Sequence, residues 1–151
     1  MIYLDTSAFV KLYIFESESV PLQRFIASQD HPLPVWDMLE AELCNALRLK
    51  VFWGELTESQ AANQIAHYER RKQIGQYFVP GVSRTALMVA FHALSRETAR
   101  IGCRTMDILH VAFARQIEPQ RFVTYDERQR ELAKFAGLNV WPERVDTGHI
   151  G

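Results

Sequence analysis

Cysteine is scarce in this chain. Its 151 residues hold two, Cys44 and Cys103, with no zinc-ligand spacing between them or to any histidine. Both read as lying inside helices, as small buried hydrophobes of a reducing compartment rather than a disulfide. Charge of one sign is lacking too. Lys plus Arg number 17 against 18 Asp plus Glu, a net charge of −1. So even a balance does not mark a nucleic-acid binder by its global field. Attraction to a polyanion would have to come from local basic clusters or bound metal. There is no long hydrophobic run. The most apolar stretch, 86–94, is too short to span a bilayer and contains His92. No basic segment precedes an apolar core at the N-terminus, so a signal peptide is not expected and the cytoplasm is the expected location. Repeats, low-complexity segments and dividing linkers are also missing. The length predicts one domain with a proper core over 1–141 and a loose tail over 142–151.

What is present is a soluble globular mixture, 48% hydrophobic and 23% charged. Short apolar, β-friendly runs alternate with helical periodicity. Strands are expected at 2–4, 33–36, 76–79, 121–124 and 138–141. Helices are expected at about 7–13 and 16–28. Asp37 is the expected cap of one to about residue 53, and Thr57 with Gln60 forms a capping box for one to about 73. Ser83 would cap a long helix over 84–101, Thr105 one over 106–116, and Asp126 one ending at Phe135. Strands alternating with helices predict an α/β fold, a parallel sheet of about five short strands covered on both faces.

Four carboxylates stand at the punctuation points of this pattern: Asp5, Glu42, Asp107 and Asp126. Asp5 ends the first strand, at the sheet edge where open α/β folds bind ligands, although an acid there also caps a helix. Glu42 competes with Glu40, since both border the apolar stripe of their helix. Asp107 shares a helix face with Val111 and Ala114, and an acid turned inward needs a partner or a metal. The alternative is a first-turn acid complementing the helix dipole. Asp126 fits a capping role, which leaves one of its oxygens for a ligand. Acids sharing one concave site repel unless a cation lies between them. Oxygen-only donors select a hard ion, Mg²⁺ or Mn²⁺, which activates water for phosphoryl displacement.

These residues resemble the PIN domain and, within it, the small VapC-type toxin ribonucleases. The stretch 2–13, around Asp5, is similar to the family's opening motif. The runs 42–47, 107–112 and 122–126 are similar to its second, third and fourth motifs, and the second decides for Glu42 over Glu40. After Asp126 the chain departs from the pattern, with Glu127-Arg128-Gln129 where the family often has Asp and Phe. The resemblance implies a three-layer α/β/α sandwich and a metal-dependent endoribonuclease. Asp5 and Asp107 would be direct Mg²⁺ or Mn²⁺ ligands. Glu42 and Asp126 would complete the acidic pocket, and Ser7 and Thr124 would orient the carboxylates. It further implies an RNA substrate, a cognate antitoxin that blocks the site, and a homodimer.

Other readings stay open. One is a PIN nuclease of RNA maturation without an antitoxin, and another a catalytically silent PIN-fold binding module. A haloacid-dehalogenase-type phosphatase would want a second Asp where Ser7 stands. Arg100 and Arg104, flanking Gly102, are candidate RNA-backbone contacts. The run Arg70-Arg71-Lys72 reads first as a helix end complementing its dipole. His110 reads as a buried, satisfied histidine. Phe9, Leu12, Tyr13, Ile14 and Phe15 are expected to form an exposed apolar patch suited to a partner.

Overall fold

The computed structural model describes residues 1–144, so part of the expected tail, 145–151, lies outside the described residues. The chain forms two compact units that divide after Gly81.

In the first unit β1 (Ile2–Leu4) is wholly buried and runs into α1 (Thr6–Phe9), followed by a 3-10 turn (Val10–Leu12). The single helix expected over 7–13 is therefore a short α-turn that tightens. Next come α2 (Ser19–Ala27), β2 (Leu33–Pro34), α3 (Asp37–Phe52), α4 (Glu58–Gln73) and β3 (Tyr77–Phe78). β2 and β3 pair in parallel as a two-stranded sheet, Leu33 opposite Tyr77 and Pro34 opposite Phe78. α3 forms because Leu39, Leu43 and Leu47 recur every four residues, and all three are fully buried. Burying each contributes roughly 1.5–3 kcal/mol. Asp37 does not cap this helix. It is the first helical residue, and extended Trp36 holds the cap position without a capping hydrogen bond from its side chain, its indole N–H donating instead to the Tyr3 hydroxyl at 2.8 Å. The capping box at Thr57 is formed in both directions. An aromatic cluster of Phe9, Tyr13, Tyr68 and Tyr77 closes the core, with centroids 5.2 Å apart between Phe9 and Tyr77. Phe9 and Tyr13 are thus buried and do not belong to an exposed patch; of the five residues assigned to it, Phe15 alone is largely exposed.

In the second unit α5 (Arg84–Ser95) and α6 (Thr98–Ile101) replace the one long helix expected over 84–101. The Ser95 hydroxyl donates to the His92 carbonyl at 3.0 Å, and the Glu97 N–H turns back to Leu94 at 3.0 Å. These three-residue bonds compete with the α-helical ladder and end it. Gly102 closes α6 in the left-handed conformation, φ 78°. Then follow α7 (Thr105–Ile117), β4 (Arg121–Val123), α8 (Glu127–Phe135) and β5 (Val140–Trp141). Cys103 lies between α6 and α7 rather than in a helix, and both cysteines are free, with Cys44 only half-buried. β4 and β5 pair in parallel, Phe122 opposite Val140. α7 buries an unbroken run from Val111 to Ala114. Arg130, itself buried, donates to the Thr124 carbonyl at 2.8 Å and to the Pro142 carbonyl, tying α8 to the end of β4 and to the segment after β5. The α/β class with parallel pairing is observed, with five strands of two or three residues among the described residues. No helix among them is long and apolar enough to cross a membrane.

Candidate active site

Asp5 stands where β1 stops and α1 starts. Its backbone is extended, and its Oδ1 accepts the Ala8 N–H at 2.9 Å, so it is the cap of α1. The same oxygen accepts the Ser7 hydroxyl at 2.7 Å. The side chain is 1% exposed, and burying an acid so deeply requires compensating bonds of this kind. The neighbouring hydroxyl, Thr6, donates to Glu42 Oε1 at 2.7 Å, which fixes a glutamate from α3 beside the start of α1. The Tyr3 phenol records how close these acids are. Its pKa is raised by burial and then, against the Trp36 hydrogen bond, by the charges of both Asp5 and Glu42. Within the first unit the structure therefore brings Asp5, Ser7, Thr6 and Glu42 together. Glu40, two residues away on α3, is engaged elsewhere. It accepts from Lys72 at 2.7 Å and from the Tyr68 hydroxyl at 2.9 Å.

In the second unit Asp107 is the third residue of α7 and 8% exposed. Its Oδ2 accepts the Arg104 N–H at 2.9 Å, so Asp107 and not Thr105 satisfies the start of this helix. The Arg104 Nε lies 3.5 Å from the same oxygen on a well-exposed side chain. Asp107 Oδ1 makes no hydrogen bond among the described residues. Asp126 caps α8 through Oδ1, which accepts the Gln129 N–H at 2.8 Å, and its own N–H donates to the Thr124 hydroxyl at 3.0 Å. Its Oδ2 likewise has no hydrogen bond among the described residues. The Cys103 thiol senses both acids. Burial raises its pKa, and the charges of Asp107 and Asp126 raise it further, so the thiol stays protonated.

Arg100 is engaged by Glu97 and Glu131, both at 2.9 Å, and lies over the Phe135 ring. Arg104 remains exposed. His110 is buried. Three contributors escape a reading of the sequence. Thr6 holds Glu42, and its partner is 36 residues away. Gln129 is 2% exposed, turns its amide inward to the Asp107 carbonyl at 3.4 Å, and buries an oxygen with no partner. Arg130 anchors the Thr124 carbonyl. A polar residue at Gln129, on the face of α8 that carries Leu132 and Ala133, was the available signal.

The donors suit a hard divalent cation. All are carboxylates, the nearby thiol is protonated, and Asp107 Oδ1 and Asp126 Oδ2 accept no hydrogen bond among the described residues. Within neither unit do three or more His, Cys, Asp or Glu side chains, among the described residues, form a group that holds a metal by itself. The first unit carries Asp5 and Glu42 and the second Asp107 and Asp126.

No protein-family model matches the chain. Among known proteins it is 33% identical over 141 residues to ribonuclease VapC46 of Mycobacterium tuberculosis strain H37Rv, covering 92% of this chain and 95% of that protein. The chain belongs to the VapC family of PIN-domain ribonucleases. Ribonuclease VapC47 of M. tuberculosis strain CDC 1551 is 26% identical over 130 residues, covering 85% of this chain and 86% of that one. Two solved structures share the fold. VapC20 of M. tuberculosis, a sarcin–ricin-loop-cleaving toxin, superposes with a TM-score of 0.65 at 16% identity, covering 87% of this chain and 94% of its own. FitAcB of Neisseria gonorrhoeae gives 0.63 at 17% identity, covering 93% and 96%.

Proposed function

We propose that this VapC-family chain is an endoribonuclease and the toxin of a toxin–antitoxin pair, hydrolysing RNA phosphodiester bonds with a divalent cation. The observation that carries the reading is the treatment of Asp5 and Asp107. Each is nearly buried, each is fixed through one oxygen by a helix-start N–H, and each has a second acid beside it. Asp5 and Asp107 serve as the direct ligands of Mg²⁺ or Mn²⁺. Such an ion, when bound, supplies Lewis acidity and an activated water. The chain's own residues do the rest. Ser7 holds the rotamer of Asp5. Thr6 aims Glu42. Asp126 keeps one oxygen on the helix cap and offers the other, while Thr124 fixes its backbone. Glu42 and Asp126 add negative charge that draws the cation in and accept hydrogen bonds from bound water.

Family membership supports RNA as substrate, and the toxin VapC20 supports the toxin role, for which a cognate antitoxin is the matching partner. A homodimer, cytoplasmic in location, completes the reading. The test is incubation of the purified protein with defined RNAs under Mg²⁺, Mn²⁺ or chelator. Cleavage is expected with metal alone, and cleavage that survives chelation contradicts the mechanism.

A further inference from the structure

The basic run at the end of α4 divides three ways. Lys72 pairs with Glu40 at 2.7 Å. Arg71 donates to the Tyr77 hydroxyl at 3.3 Å and lies over the Tyr13 ring at 5.6 Å. Arg70 makes no ion pair or side-chain hydrogen bond among the described residues, and it is exposed. It lines a cleft of ≈ 470 Å³ with Phe15, Gln23, Asn63, Gln64 and His67. Asn63, His67 and Arg70 follow at four and seven residues along α4, so they stand in one stripe with Gln64 beside it. The carboxamides of Asn63 and Gln64 have no hydrogen-bond partner among the described residues. Phe15, in the same lining, is 78% exposed and stacks on no other ring among the described residues. Lys11, also in the cleft, is turned to Glu16 and Glu18, so Arg70 is the cation facing the opening. His67 stands edge-on to Tyr13, its charge disfavoured by desolvation and by Arg71 and Arg70, and it forms a neutral wall.

An apolar peptide would meet amides and a cation here. A base of single-stranded RNA would meet a π-face to stack on, paired donors and acceptors for its edge, and a cation for its phosphate. The α-turn and 3-10 turn connect Asp5 to this cleft, a rise of about 10–12 Å, which places it beside the proposed catalytic acid of the same unit and not at it. We propose that the cleft is a nucleobase subsite in which Phe15 stacks an unpaired base, Asn63 and Gln64 read its edge, and Arg70 holds the adjoining phosphate. The inference rests on the ribonuclease reading above and names the part of the RNA that the chain selects, an unpaired nucleotide neighbouring the cut.

Steady-state cleavage of short loop RNAs, differing in the unpaired base, tests it with Mg²⁺ present. Phe15→Ala is expected to raise KM about 10-fold to 100-fold with kcat unchanged, and Phe15→Trp to restore it. Arg70→Ala should raise KM evenly across sequences and lower the salt slope by about one. Asn63→Ala with Gln64→Ala should flatten the preference among bases. Parent KM values in Phe15→Ala and Arg70→Ala overturn the subsite. So does a Phe15→Ala protein with intact RNA kinetics that fails to associate with a partner protein. A parent that cleaves none of the RNAs removes the ribonuclease reading alone. Anisotropy of fluorescein-labelled single-stranded RNA on parent and Phe15→Ala then decides the subsite, with equal affinities overturning it.

Discussion

At Asp5 one carboxylate oxygen takes two hydrogen bonds, from the Ala8 N–H and the Ser7 hydroxyl. The first belongs to the helix cap and the second orients the acid, so the two roles separate by substitution. Ser7→Ala keeps the cap and removes a hydrogen bond to a charged group, about 1.5–3 kcal/mol. If Asp5 is catalytic, kcat falls about 10-fold to 100-fold with KM near the parent's, and the melting temperature drops by only about 3–12 °C, so the protein stays folded at the assay temperature. An unchanged kcat would deny Ser7 its positioning role. Asp5 and Asp107 were legible in the sequence because each interrupts an apolar pattern at the end of an element. Thr6 was not, because adjacent hydroxyls look alike and nothing local says that one reaches a glutamate 36 residues on. Periodicity could not separate Glu40 from Glu42, which border the same stripe. The fold separates them by partner, Lys72 and Tyr68 for Glu40, Thr6 for Glu42.

Those partners make Glu40 the bond between α3 and α4. Burial alone would raise its pKa, but the hydrogen bonds from Lys72 and Tyr68 and the lysine's charge outweigh it and hold the pKa below the ordinary 4.5. A carboxylate lowered in this way stabilises the fold when ionised. The contribution is complete above the ordinary value and is lost as pH falls through the lowered folded value. Glu40→Ala also strands the hydroxyl of Tyr68, which is 1% exposed. A loss of about 1–3 kcal/mol is expected at pH 7 by urea unfolding, narrowing below pH 4.5. A gap independent of pH would contradict the assignment. In α8, Arg130→Met removes both carbonyl contacts of a buried guanidinium while keeping much of its volume. It should destabilise by about 2–4 kcal/mol, read the same way. Capped starts such as Thr57 and Asp126 were legible because a cap is written in residues three apart. The break between α5 and α6 was not, since it turns on Ser95 and Glu97 choosing shorter bonds that periodicity does not record.

Over the whole molecule the net charge is −1, so affinity for RNA must rest on a few local cations. Of the cations considered as RNA contacts, Arg100 and two residues of the basic run are engaged by neighbours, Arg104 is exposed although its Nε lies 3.5 Å from Asp107, and Arg70 is exposed with no ion pair among the described residues. A shallow dependence of KM on salt is therefore expected. The resemblance to VapC ribonucleases spans 92% of the chain, and both pairs of acids lie within the 1–141 region that the sequence motifs cover. If Asp5 and Asp107 serve one hydrolytic reaction, removing either disables the same machinery and removing both costs little more. The decisive measurement is the metal-dependent cleavage rate of one defined RNA by the parent, Asp5→Asn, Asp107→Asn and the double variant, each checked for folding by its melting curve. Both single variants should lose cleavage by orders of magnitude, and the double should match the weaker single. A single variant at the parent's rate, or losses that multiply in the double, would contradict a shared reaction.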